Sequence, residues 1–424
     1  MTMNANGSLK IKAHTPSGVS RIENLECLPE AHRAVHQGRV FAPPEPRELP
    51  PSQMEALMSS LFAGREERTN ELLKRYRPGR TAAENVFAIV KAASISCRAT
   101  GFAEPDAAAA MMATIEAMLW SGQPVTLGFL SGAIKIQNML KVPRGIDPDL
   151  PDWVMVNQLQ ALADAIRLAT GREAGVVMAA DGYLFAGDLG LDPRQADLFL
   201  ETLQDDGRRW LKAPDVIIAS PWEQLDERWY LYLLDEVRTI RLAAKHDPAT
   251  RSKLSEIAAA LVSAVNLRPR GWSYAHTISV FAAVAGHPAE AEAVRDAEDL
   301  KRLADQVTHG YVATHHAIRE LRLVERTVKH ATGHDLLLRC SVHAKPCEPR
   351  LALAPSNSLA RHYLLPMHST GRVVTGADGQ PRYGPLFDLE GRVGGMQLVG
   401  FGDERVGRVR PLCYRPSGDN WEWK

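Results

Sequence analysis

The sequence predicts an α/β fold: a Rossmann-like, mostly parallel sheet with a helical subdomain and a β-rich C-terminal segment. Three observations lead there. Short apolar runs at 125–130 (VTLGFL), 175–179 (GVVMA) and 215–219 (DVIIA) suit parallel strands buried on both faces. Helical stretches separate them, and strand, helix, strand at this spacing makes βαβ units. From 226 to 329 the chain is strongly helical, rich in Ala, Leu, Glu and Arg.

The elements follow in order. Residues 1–51 read as an extension whose proline-rich end, FAPPEPRELPP, is a linker or an arm lying over the surface. Ser52 with Glu55 resembles a capping box opening a helix to Tyr76, broken by Arg77-Pro78-Gly79. Thr81 with Glu84 repeats the signal, and that helix is expected to end near Gly101. Asp106 begins a third, apolar through Met111, Ile115, Met118 and Leu119, stopping before Gly122. After the strand at 125–130, SGAIKIQNMLKVPRG groups Lys135, Asn138, Lys141 and Arg144 in a strand-to-helix connection. Pro151-Asp152 starts a helix closed by Gly171, and the next strand runs into Asp181-Gly182-Tyr183-Leu184-Phe185 and then Asp188. Residues 191–204 are helical and lead to the strand at 215–219. The expected organisation is therefore helices plus core at 52–225, a helical subdomain at 226–330, and a final part at 331–424. That last part completes the core with one strand and then forms an antiparallel or irregular β cap, with short β runs at 372–375, 397–401 and 406–409.

Bulk properties exclude several classes. Lys+Arg and Asp+Glu are both 50, so no net field argues for nucleic acid or an anionic membrane. The five cysteines are scattered with no CxxC pair, which indicates neither a zinc knuckle nor a disulfide framework. The amino terminus lacks the apolar core of a signal peptide, and no run has the length of a membrane span. A cytoplasmic protein is expected.

The stretch with most chemical content is LLLRCSVH at 336–343. As a strand it would point Leu336, Leu338, Cys340 and Val342 one way, and Leu337, Arg339, Ser341 and His343 the other. An arginine, a hydroxyl and an imidazole then share one face at a strand end, where open α/β sheets bind ligands; the plainer reading is an exposed polar face. Asp181 and Asp188 follow a strand in the same way. They are turn residues, or carboxylates that hold an amine or sugar hydroxyls or move protons. Lys135 is a surface lysine, a phosphate ligand, or a Schiff-base lysine if burial depresses its pKa. The chain has no GxGxxG, Walker A, GxSxG or HExxH, so nicotinamide, ATP, serine-hydrolase and zincin chemistry lack support. His309 and His316 are seven apart on one expected helix face, with His315 off it. That spacing allows a metal without demanding one, and helix-surface histidines are the default.

Together these residues resemble the isocyanide (isonitrile) synthase family, also called the pyoverdine/dityrosine biosynthesis family. Its members carry a strand followed by a segment like AFPxKSxN, then LPD opening a helix, a strand ending in SDGxxFxD, RLSIHP, and a late TPWH. Here the first appears as SGAIKIQN, keeping Lys135 and Asn138, and LPD is intact at 150–152. AADGYLFAGD keeps Asp181, Gly182, Phe185 and Asp188, while RCSVHAKP keeps Arg339, Ser341 and His343. LPMH keeps only His368 of the last motif, followed by Arg372. The order holds over residues 80–380, and the departures mark a divergent member.

The resemblance implies a cofactor-free, metal-free enzyme of secondary-metabolite biosynthesis. The amine of an amino acid, tyrosine or tryptophan, condenses with the C2 carbonyl of ribulose 5-phosphate, whose carbon becomes the isonitrile carbon. His343, Asp181, Asp188, His368 and Lys135 are then the catalytic candidates, suited to repeated proton transfer or to cation binding. Arg339, Ser341, Asn138 and Arg372 are the substrate-binding candidates, with Arg339 offering a bidentate fork to phosphate or carboxylate. An iron/2-oxoglutarate oxygenase acting on the isonitrile is the implied pathway partner. Two other readings stand beside this one. One is a relative with changed amino-acid condensation or lyase chemistry, with a metal on the histidines. The other is a non-catalytic binding protein with a vestigial pocket.

Overall fold

The computed structural model describes residues 2–3, 9–10, 45–95, 105–131, 147–186, 193–252, 254, 297–342, 348–354, 371–375, 381–385 and 396–417. Strands β1 (Thr2–Met3) and β2 (Leu9–Lys10) form a small antiparallel pair, and β3 is Arg47–Glu48. Three helices follow: α1 (Pro51–Leu73), α2 (Ala82–Ala93) and α3 (Pro105–Trp120). The Thr81–Glu84 capping box forms as expected, but the Ser52–Glu55 one does not. There Pro51 starts the helix, since its fixed φ and missing N–H suit a first turn. Helix α2 is shorter than expected and stops at Ala93, because Ser94 leaves the helix to bridge Leu351.

The βαβ series is as predicted. It runs β4 (Val125–Ser131), α4 (Leu150–Thr170), β5 (Ala174–Ala180), α5 (Gly182–Ala186), α6 (Pro193–Arg209), β6 (Val216–Ala219). Helices α7 (Glu227–His246), α8 (Ala297–Glu320) and α9 (Leu323–Thr332) lead to β7 (Leu338–Cys340). The four-stranded sheet has the order β6-β5-β4-β7 and every pairing in it is parallel. Alternate residues of its strands feed two cores. Val125, Leu127, Phe129, Val176, Met178, Leu338 and Cys340 pack on the α4 side, and Val177 and Ala179 meet Val324 and Val328 of α9. Both faces are therefore covered, which is why these strands read as continuous apolar runs rather than alternating ones. Gly128 sits where a Cβ would come 2.5 Å from Leu337 and 3.0 Å from Val328, so α9 packs directly on the sheet there.

Helix α4 is buried nearly all round. Its Gln160 amide donates to Asp215 at 2.7 Å and its carbonyl accepts from the Asp215 N–H at 3.1 Å. Asn157 donates to the carbonyl of Leu61 in α1 at 3.3 Å. A helix enclosed on all sides must be mostly apolar, and these bonds satisfy part of its buried polar groups, while among the described residues the side-chain oxygens of Asn157 and Gln158 have no hydrogen-bond partner. Gly171 closes it in the left-handed region, the usual place for a C-terminal glycine.

The tail adds β8 (Gly371–Thr375), β9 (Pro381–Pro385), β10 (Met396–Asp403) and β11 (Arg408–Pro416). Of the run expected at 406–409, Val406 and Gly407 belong to the turn, with Gly407 at φ 61°, and Arg408 and Val409 begin β11. The second sheet has the order β3-β10-β11-β8-β9 and is mixed. Its β10–β11 and β8–β9 pairs are antiparallel, while β11–β8 and β10–β3 are parallel. Its outer strand β3 comes from the end of the predicted arm, where Leu49 is buried and donates to Gly400 at 2.8 Å. A register shift at Val399/Gly400 brings Arg410 so close that a Cβ on Gly400 would lie 2.1 Å from its carbonyl oxygen.

A buried ion cluster ties this sheet to the α/β core. Arg410 donates twice to Asp206 of α6 (3.0 and 2.5 Å), to Asp403 at 2.9 Å and to the carbonyl of Pro148 at 3.1 Å. Trp153 of α4 donates to Asp206 at 2.9 Å, and Trp153, Trp210 and Phe401 pack as a ring cluster over it. Burial opposes charge on Asp403, yet hydrogen bonds from Arg405 and Arg410 hold its carboxyl well below the usual carboxylate range.

Candidate functional site

Strand β4 is followed in the chain by β5 and β6 on one side, while β7 lies on its other side. The order reverses at β4/β7, and open α/β sheets take ligands outside the carboxyl ends of their strands at such a point. At this edge stand Ser131 ending β4, Asp181 after β5, and Ser341 after β7. The Asp181 N–H donates to the carbonyl of Ser131 at 2.9 Å, which carries the ladder one step beyond the strands.

The register decides which face the candidates take. Gly128 pairs with both Val177 and Arg339, so Arg339 lies on the α9 side of the sheet. There its guanidinium meets Glu325 of α9 at 3.2 Å and Glu348 at 3.6 Å. The alternation read from 336–342 holds: Leu338, Cys340 and Val342 join the core on the opposite side. The strand itself is shorter than expected. Only Leu338–Cys340 is strand, because at Ser341 the chain turns to bridge Arg350, its N–H donating to Pro349 at 2.8 Å. Nor is this face a polar one throughout, since Leu337 packs into the apolar cluster with Val328. Burial, and next the nearby Glu348 charge, push the Cys340 thiol up, so it is an inert core group rather than a nucleophile.

Asp181 is buried and opens the short helix α5, accepting from the N–H of Leu184 at 2.9 Å and of Phe185 at 3.3 Å through its carbonyl. The predicted turn is thus one helical turn, which places Phe185 back over the strand end. Two residues of α8 that the strand-end reading missed meet it there. The Phe185 ring lies 5.0 Å from Tyr311 and 4.8 Å from His315, and Tyr311 and His315 are 4.5 Å apart, edge to face. Their signal was present as the helical spacing 311/315, but nothing local linked it to Phe185.

Of the predicted site residues, the structure thus places Asp181 and Ser341 at the carboxyl edge of one sheet, and Arg339 two residues before Ser341 in β7, level with Gly128 at the middle of β4. Arg372 lies in β8, across from Tyr414 of β11, in the second sheet. Lys135, Asn138, Asp188, His343 and His368 lie outside the described residues. His316 pairs with Glu236 of α7 at 2.5 Å, and no group of three or more His, Cys, Asp or Glu suited to a metal occurs among the described residues. No helix among them is long and apolar enough to cross a membrane.

No family model matches the chain, and no curated protein matches it. Among solved structures the fold is similar to the PvcA protein from Pseudomonas aeruginosa, with a TM-score of 0.50 and 15% identity. The match covers 79% of this chain and 100% of PvcA and shows a shared fold.

Proposed function

We propose that this chain is an isonitrile synthase-like enzyme, converting the amine of an amino acid to an isonitrile with ribulose 5-phosphate as carbon donor. PvcA is a pyoverdine/isonitrile synthase-family protein, so the shared fold and the ordered sequence motifs point to one distant relationship. The observation that carries the reading is the convergence of Asp181 and Ser341 at the carboxyl edge beside the β4/β7 reversal, with Arg339 two residues earlier on β7. They come from two motifs about 160 residues apart, on strands of one parallel sheet that both flank β4, and open α/β sheets take ligands at the carboxyl ends of such strands. In this reading Asp181 and Asp188 with His343 and His368 move protons, and Lys135 and Arg339 offset substrate charge. Asn138, Ser341 and Arg372 bond hydroxyls or orient these groups.

The test is an incubation of the purified protein with ribulose 5-phosphate labelled at C2 and a mixture of amino acids, followed by mass spectrometry. Label gained as one carbon on an amino acid's nitrogen is the expected result, and it names the substrate as well. Label that stays in the sugar for every amino acid, with the protein folded, would sink the reading.

One observation favours a second reading, a relative with changed condensation or lyase chemistry. Arg339 lies between two carboxylates, Glu325 and Glu348, which offset the charge a phosphate would seek. A substrate without phosphate fits that arrangement, and replacing the sugar phosphate by unphosphorylated keto sugars in the same assay separates the two.

A further inference from the structure

Helix α7 buries one side and leaves the other open. Trp229 and Ile240 are buried, with Leu233, Val237 and Ala244 packed around Ile240 and Ala313 of α8. Half a turn round the helix lie Leu231, Leu234 and Leu242, exposed by 59, 71 and 52%. Steps of three and eight residues keep the three on one face. Large apolar side chains set in line and this exposed mark an interaction surface.

The charges on that face say what covers it. From its N-terminal end the exposed stripe reads Glu227, Leu231, Leu234 and Asp235, and then Arg238, Leu242 and Lys245. Its first half is acidic and its second half basic. Arg228, at the edge of the acidic half, is tied to Asp226 at 3.1 Å. A surface whose charge reverses about its own middle is complementary to itself turned end for end, as a two-fold interface requires. We propose that α7 pairs antiparallel with α7 of a second copy of this chain. A two-fold axis beside Glu236 and Val237 sets Leu231 against Leu242 of the second copy, and Asp235 against its Arg238. Glu227 then faces the exposed His246 and Lys245, so every match occurs twice. The helix has 20 residues and is about 30 Å long, which spans all these pairs. One helix pair is small for a specific interface, so dissociation in the micromolar range is expected. The inference stands apart from the chemistry at the sheet edge.

The experiment is sedimentation equilibrium of the full-length protein from about 1 to 100 μM, the range a small interface calls for. The mass is expected to rise with concentration toward that of two chains. The mass of one chain throughout overturns the proposal. Leu231→Glu together with Leu242→Glu puts carboxylates where the apolar side chains meet, and a monomer is expected over the same range. A dimer of unchanged strength would place the contact elsewhere and overturn it. The charged pair tests the register without altering the apolar residues. Asp235→Arg leaves that stretch basic and Arg238→Asp leaves it acidic, so each alone is expected to self-associate about tenfold more weakly. Mixed in equal amounts, the two variants regain both opposite-charge pairs, and the dimer should return as a heterodimer. A mixture that associates as weakly as its separate components would rule out the antiparallel pairing.

Discussion

Two arginines in this protein each sit between two carboxylates, and their surroundings give them opposite characters. Arg410 is fully buried, makes bonds of 2.5–3.1 Å to Asp206, Asp403 and the carbonyl of Pro148, and lies 4.9 Å from the Phe401 ring centre. Arg339 is 24% exposed, and its contacts with Glu325 and Glu348 are 3.2 and 3.6 Å. The first cluster joins β11 and the end of β10 to α6 and α4, and water has no access to compete for its bonds. The second lies on the α9 side of the parallel sheet, level with the middle of β4, where the contacts are longer and part of the side chain meets solvent. The same kinds of charge lock one interface and make a looser, part-exposed cluster at the other.

The largest effect is expected from Arg410→Ala. It leaves the buried Asp206 and Asp403 with only the part-exposed Arg405 for a cation among the described residues, and removing one partner of a buried ion pair costs about 3–5 kcal/mol. Urea unfolding monitored by circular dichroism measures it, and a loss near zero would break the comparison. Acid is a second probe of the same cluster. The Asp403 carboxyl is depressed in the folded state, so its contribution is fully present above the unfolded carboxylate value of about 4. It is lost as pH falls through the lower folded value. The urea midpoint should therefore drop below about pH 4 in the wild type, and with a shallower slope in Arg410→Ala, where one of the bonds that hold Asp403 down is gone. The smallest stability effect is expected from Arg339→Ala, about 1 kcal/mol or less, as for other part-exposed pairs. Turnover in the labelled-sugar assay should be lost in the same variant. Full turnover with Arg339 replaced would show that it serves the fold alone.

What could be read along the chain, and what could not, divides by sequence distance. The parallel sheet was legible because burial on both faces leaves continuous apolar runs, at 125–130 and 175–179, inside single segments. The faces of Arg339 and Ser341 were legible for the same reason, since alternation is a local rule that β7 obeys until the chain turns away. The ends of elements were less so. Helix α2 stops for a partner, Leu351, that lies far along the chain, and Ser52 lost its cap to a proline that begins the helix first.

The pairs that give the molecule its character were not legible at all. Arg410 and Asp206 are 204 positions apart, and nothing near either residue marks it as buried and paired. Tyr311 and His315 read as ordinary residues of an amphipathic helix until α8 is laid beside the end of β5. The arm before α1 carries a strand only because β10 offers it an open edge. The amino-acid sequence by itself determined the fold class, the order of the sheet's βαβ units and the alternation that sets Arg339 opposite Leu338 and Cys340, because periodicity and burial act over a few residues. The tertiary structure alone decided which carboxylates hold which arginine, which rings close on Phe185, and where β3 pairs. Those choices depend on distances between segments that no local pattern encodes.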